Sequence, residues 1–440
     1  TPPPMRALPL LLLLPSLAAA QAPDEGRPGP FALTDCRIET VTRGPIERGT
    51  VVIRDGRIEA VGADVPVPAD AEPFDCAGAT LYPGFIDAGT KLGLLEIGSM
   101  EETRDFREIG AITPHMQALT AANVSSHHIP VARVNGVTTA LMTPSGGLMP
   151  GTAALVNLHG YTPEQMDAGF RGVVLDFPSA VRRGPWDRRK PEEIEKQATE
   201  AMEKLGETWE QAVLFARIDS AHAAAPDPER LPEYVPEMEA LLPVVRGEIP
   251  LLIEVNAAKD IERALEWTAE RDVRAVFTGV AEGWRVADQL AEAGVPVLVG
   301  PVHSLPTRDS DRYSRAYENA GLLHAAGVDV ALRTTSLRMN DAHNTRNLPY
   351  HAGFAAAYGL GRQAALEAVT IAPARIFGVA DALGSIEAGK AATLFVADGD
   401  PFEVQTPITA LFIDGYRVPL VSRQTELYDE YLDRQPGLVK

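Results

Sequence analysis

Between residues 83 and 384, β-branched runs a few residues long alternate with amphipathic helical windows, and no other feature restricts the chain as much. The runs GVTTALMTP, GVVLDFP, IPLLIEVN, VRAVFTG, VPVLVGP and VDVALRTT are too short for helices, while the windows between them carry apolar residues at helical spacing. Strands alternating with helices predict an α/β domain built on a parallel sheet. The longest window, Pro191 to Ala224, starts with acidic residues and predicts a crossover helix enlarged by an insertion. Residues 31 to 82 differ: CRIETVTRG, GTVVIRDGRIEAVG and FDCAGATLYPG alternate with a period of two and break at Gly and Pro. The tail segments GSIEAGKAATLFVADGDPF and ITALFIDGYRV return to that pattern. A small β domain is therefore expected from residues 31–82 plus 385–423, the α/β domain from 83–384, and a C-terminal tail from 424–440.

Sixty acidic against forty basic residues leave a formal charge of -20, which repels phosphate backbones and argues against nucleic acid as a partner. Residues 5–20 read as a secretory signal starting at Met5, with Arg6, an apolar core from Leu8 to Leu17, and small residues Ala18 to Ala20 for cleavage near Ala20. This predicts a secreted or periplasmic protein. The apolar run falls short of the roughly 20 residues a membrane helix needs, and no later segment reaches it. Cys36 and Cys76 both fall in the small β domain; they either form a disulfide or remain two buried thiols.

The segment LYPGFIDAGTKLG resembles the entry motif of the amidohydrolase superfamily, imidazolonepropionase-like branch. GVTTALMTPSGG is similar to its second barrel strand, VAEGWRVADQLAEAGVPVLVGP to its sixth and seventh strand units, and AALEAVTIAPARIFGVADALGSIEAGKAA to its last helix and return. These stretches follow the family's order. The resemblance implies a distorted (β/α)8 TIM-type barrel beside a small composite β-sandwich built from both chain ends, with the site at the carboxyl ends of the strands. It also implies a hydrolase of carbon–nitrogen bonds, usually holding zinc or another divalent metal that turns a bound water into hydroxide.

At the positions that should hold the metal, this chain departs from the family. The first-strand His-x-His positions are Gly89 and Lys91, the fifth-strand His is Asn256, the sixth falls at Gly279, and the eighth-strand Asp is Thr335. The mid-chain Lys is placed at Asn157. Glycine offers no donor atom and a charged lysine repels a cation, so the expectation is no bound metal and no cofactor. Thr393 stands where the family's GKxAD motif carries Asp, an inter-domain position.

Side chains two apart on a strand share a face, so Lys91 should point with Asp87 into the barrel, Glu254 with Asn256, and Arg333 with Thr335. Lys91 and Arg333 are expected to replace the lost cation by pairing with Asp87 and Glu254. Of nine His, none forms a metal spacing; His343 and His351 beside the eighth-strand loop are the better candidates, then His115, with His127 and His128 poor chelators. The acidic stretch Glu96 to Glu108 reads as a solvated loop or a cation site, and PSGGLMPG at 144–151 as a plain loop or an anion nest. No nucleophile-elbow, phosphate-loop or dinucleotide fingerprint stands in a fitting strand context. Two functions stay open: a metal-free hydrolase of non-peptide carbon–nitrogen bonds, or a non-catalytic protein binding a small ligand or protein partner through the barrel mouth. Self-association into a homo-oligomer stays open too.

Overall fold

A computed structural model describes residues 26–182, 187–226, 231–337, 341–432 and 434. The expected signal segment lies outside them. Among the described residues, eight strands form one sheet in chain order: β1 Phe85–Thr90, β2 Val137–Met142, β3 Gly151–Asn157, β4 Asp167–Asp176, β5 Leu251–Val255, β6 Ala275–Gly279, β7 Val297–Val299 and β8 Val330–Leu332. The sheet comes round on itself, with Thr335 N–H just past β8 donating to Gly89 O of β1 at 3.2 Å. Every residue of β1, β2, β3 and β5 is buried, as strands covered on both faces require.

One strand breaks the expected parallel order. β3 runs antiparallel to both β2 and β4, while the remaining pairs are parallel. The cause is connection length: a parallel crossover needs about a dozen or more residues, and the loop from Thr143 to Pro150 is shorter than that. Between β4 and β5 the chain has room for the helix Pro191–Ala224, so that pair is parallel. The helix opens with Pro191 in its first turn, and Glu193 accepts from the Lys190 N–H at 3.1 Å.

The second sheet draws on both ends of the chain, the seam being Thr80–Pro83 antiparallel to Leu394–Ala397. Its strands are hydrogen-bonded into one nine-stranded sheet among the described residues. Phe31, Ile53, Leu81, Leu394 and Phe412 form a core separate from the barrel's, with the Phe31 and Phe412 rings 5.3 Å apart edge to face. Cys36 and Cys76 are joined in a disulfide across this core, their Cα atoms 5.0 Å apart. Among the described residues no helix is long and apolar enough to cross a membrane.

The two sheets meet through a buried polar chain. Thr139 donates to Asn157 Oδ1 at 3.0 Å, Asn157 Nδ2 donates to Asp414 Oδ2 at 2.8 Å, and the Asp414 N–H donates to Thr393 Oγ1 at 3.1 Å. Burial raises the Asp414 carboxyl above its ordinary value against the hydrogen bonds it accepts. The Thr393 hydroxyl thus contacts Asp414 within the small β domain, and Asp414 carries the contact to Asn157 of the barrel. Asn157 pairs with Thr139 near the start of β2, at the end of the barrel opposite the mouth. The assignment of Asn157 to the mouth is corrected: an antiparallel β3 carries its last residue to the barrel base.

Candidate active site

The ends of three strands, β1, β5 and β8, bring Asp87, Lys91, Glu254, Asn256, Arg333 and Thr335 to one end of the barrel, all of them buried but Asn256, which is partly so. Arg333 and Glu254 dominate it. Arg333 Nη1 lies 2.7 Å from Glu254 Oε2 and Nη2 donates to Oε1 at 2.9 Å, a two-pronged pair whose side chains are 2% and 1% exposed. Arg333 Nε donates to Gly300 O at 3.2 Å. Glu254 also accepts from Thr278 Oγ1 at 2.6 Å and Asn256 Nδ2 at 3.0 Å. Burial pushes the Glu254 carboxyl up, but Arg333 and these donors outweigh it and hold it below its ordinary value.

The guanidinium occupies room that two glycines leave. A Cβ on Gly89 would stand 3.1 Å from Arg333 Cδ. One on Gly279 would stand 3.0 Å from Arg333 Nη2, 3.0 Å from Glu254 Oε1 and 2.4 Å from Asn256 Oδ1, at a backbone φ of +85° that disfavours other residues. Gly89 and Gly279 are two of the positions that the sequence resemblance aligns with the family's histidines.

Asp87 does not pair with a cation. Its oxygens accept from the Gly89 N–H at 3.0 Å, the Thr334 N–H at 3.2 Å and the Thr334 hydroxyl. Burial raises its carboxyl to about 7 against these bonds. Lys91 makes no direct ion pair with either carboxylate that sequence reasoning gave it: Nζ donates to Leu337 O at 2.9 Å and lies 4.2 Å over the centre of the Phe106 ring. The expected Lys91–Asp87 and Lys91–Glu254 pairing is therefore corrected: Leu337 O and the Phe106 ring stand against the ammonium, and Glu254 acts on it through its charge and not a direct contact. Burial brings the Lys91 amine down to about 7, the like charge of Arg333 adds to the effect and Glu254 opposes it.

Gly89, Lys91, Thr143, Arg333, Thr335 and Leu337 line a cavity of about 10 Å³, about the least that holds one water molecule. Thr335 contributes its hydroxyl elsewhere, donating to Asp341 O at 3.1 Å.

The histidines fall outside this cluster. His343 is exposed and pairs with Asp341, Nδ1 to Oδ1 at 3.1 Å. His351 is buried, accepts the Val302 N–H at 3.0 Å and is pushed down to about 3, chiefly by burial, so it serves as a neutral structural acceptor. His128 contacts Glu96 O at 3.0 Å, and His115 Nδ1 is buried without a hydrogen-bond partner among the described residues. In the Glu96–Glu108 stretch, Glu101 is taken up by Arg104 and Arg107, while Phe106 turns inward to meet Lys91. The loop at 144–151 spends the amides of Ser145, Leu148 and Met149 on protein carbonyls.

These residues do not fit a divalent ion. Among the described residues no group of three or more His, Cys, Asp or Glu comes together. The two carboxylates present have their oxygens committed to Arg333, Thr278, Asn256, Thr334 and Gly89, and a fixed guanidinium beside them repels a second cation. Phe106, Thr278, Thr334 and Leu337 complete the site and were not legible as its members; Thr278, two residues after Val276 and in register with Glu254, is the one that strand pairing implies.

A near-closed eight-stranded barrel with a polar cluster at its strand ends and a sheet from both chain ends beside it defines an amidohydrolase-type barrel protein. The amidohydrolase family model matches residues 261–418. An imidazolonepropionase of Syntrophobacter fumaroxidans is 26% identical over 386 residues, 80% of this chain and 84% of that protein. An amidohydrolase of Hapsidospora irregularis is 26% identical over 400 residues, 83% of this chain; the chain spans 39% of that relative's length. The crystal structure of an amidohydrolase from Thermotoga maritima superposes with a TM-score of 0.77 at 25% identity, covering 89% of this chain and 100% of the other. These likenesses support the amidohydrolase superfamily, imidazolonepropionase-like branch, as the family that this chain resembles.

Proposed function

We propose that this protein hydrolyses carbon–nitrogen bonds other than linear peptide bonds in a small amide or cyclic amide, with Lys91 in place of the family's divalent ion. The observation that carries the reading is Lys91 itself: a buried amine, brought down to about 7, beside a cavity that fits one water. Family resemblance supports the reaction class, and the relative named imidazolonepropionase supports an imidazolone-like ring as substrate. Fold likeness alone would not.

Near neutral pH about half of such an amine is uncharged and able to accept a proton. Lys91 Nζ takes one proton from the water, and the resulting hydroxide adds to the substrate carbonyl carbon. The positive charge that Lys91 gains in this step stands beside the negative charge that develops on the carbonyl oxygen. Collapse breaks the C–N bond, the leaving nitrogen takes the proton back from Lys91, and a carboxylic acid remains. Phe106 and Leu337 O hold Nζ in place through this cycle.

A second reading rests on one observation. A cavity of about 10 Å³ admits water but not an amide, so turnover or small-ligand binding inside it requires Ser336 and Leu337 to move, whereas a protein partner held at the rim without turnover does not. The test is a panel of hydantoins, lactams and dipeptides, offered to the protein with and without chelator. Turnover that chelator leaves intact and Lys91→Met abolishes supports the hydrolase; saturable binding with no turnover supports the second reading. We also propose export, which the Leu8–Leu17 segment and the Cys36–Cys76 disulfide support, since such bonds persist in oxidising compartments. Fractionation of cells expressing the full chain would test it.

A further inference from the structure

At the barrel base, away from Lys91, lies a cavity of 360 Å³. Its walls come from the helix His128–Arg133, from Leu158 to Tyr161 just past β3, and from the first turn of the helix Arg423–Leu432. The antiparallel course of β3 puts it there: Asn157 lies opposite Thr139 at the start of β2, whereas Met142 at the far end leads to Thr143 of the mouth.

The lining runs against the net charge of the chain. A chain of formal charge -20 gathers Arg133, Arg423, His127 and His159 here, with Glu426 as the carboxylate among the lining residues. Arg133 is 5% exposed, and its Nη1 donates to Leu158 O at 3.4 Å, which fixes the guanidinium at the wall. His159 is held below its ordinary value by burial and by the charge of Arg133, so it meets a ligand as a neutral imidazole. Its ring centre lies 5.2 Å from that of Tyr416. Ile129, Met166 and Val421 supply apolar wall, and the volume falls in the range of small-molecule sites.

We propose that this cavity binds a small organic anion, its carboxylate or phosphate head against Arg133 and Arg423 and an apolar body against Ile129, Met166 and Val421. Guanidinium groups recognise both heads by paired charge-assisted hydrogen bonds. The site is separate from the mouth and does not depend on hydrolysis there.

Calorimetric titration of the full chain with benzoate, phenyl phosphate and neutral benzamide tests it. At least one anion is expected to saturate, with benzamide at least about tenfold weaker. Whichever anion binds more tightly identifies the head group. Arg133→Met keeps the buried stem and is expected to weaken the anion at least about tenfold. If that variant fails to give a cooperative melt, Arg423→Glu, at an exposed position, is read instead and is expected to weaken binding about fivefold or more. Benzamide binding as tightly as the anions, an Arg423→Glu variant indistinguishable from wild type, or no saturation by either anion would overturn the proposal.

Discussion

At the mouth of the barrel a guanidinium and a carboxylate neutralise each other around a space of about 10 Å³, whereas at the base two arginines line a cavity of 360 Å³. The same strands lead to both ends. Between them lie layers of Val, Leu, Ile and Ala, including Leu141, Leu155, Val174, Ile253 and Leu298, which are essentially fully buried. The apolar layers hold the barrel whatever stands at the strand ends, so the family's chemistry can be replaced at the mouth while its framework persists.

The sharpest way to break this comparison is to leave the mouth charge unpaired. Glu254→Leu strands Arg333 in a buried site and is expected to lower stability by about 3–5 kcal/mol in urea unfolding, while the double variant with Arg333→Met stays near wild type. Equal losses in both would mean that the pair is not what fills the mouth. Next, Gly279→His, which installs the residue that the sequence resemblance expects there, is expected to lower stability by about 2–4 kcal/mol, because φ is +85° and a Cβ there would stand 2.4 Å from Asn256 Oδ1. A silent substitution would show that the guanidinium does not need that glycine.

At the base end, Asn157→Ala leaves the buried Asp414 without its amide donor and is expected to lower stability by about 1–2 kcal/mol. The smallest effect sharpens the link between stability and chemistry. Lys91→Met is expected to raise stability by about 1 kcal/mol at pH 7, after allowing for the lost bond to Leu337 O. The sign follows from the depressed amine: its folded value is about 7 against 10.5 ordinarily, so the wild type gains stability as pH rises from 7 to 10.5 and loses it as pH falls. The advantage of the variant should accordingly shrink across that window in paired thermal melts. In activity, kcat/KM of the wild type should rise with pH with a midpoint of about 7.

The alternation of strands and helices, the composite β domain and the family were legible because each rests on local period, turn residues and ordered motifs. Strand direction was not. The reversal of β3 is written in the length of its connections, and overlooking it carried Asn157 to the wrong end of the barrel. The inward phase of Asp87 and Glu254 follows from two-residue alternation, but what each meets does not. Phe106 and Leu337, which decide where Lys91 points, come from loops whose reach no periodicity encodes. His343 looked chemical from its place after β8, and only the side chain's exposure and its pairing with Asp341 assign it to the rim.

The divalent-ion content of the full chain, purified without chelator and read by plasma mass spectrometry beside its turnover, tests the replacement at the mouth most directly. The arrangement of Arg333, Glu254, Gly89 and Gly279 predicts substoichiometric zinc, manganese and iron, and turnover that chelator leaves unchanged. One tightly held ion per chain, whose removal stops turnover and whose return restores it, would contradict it.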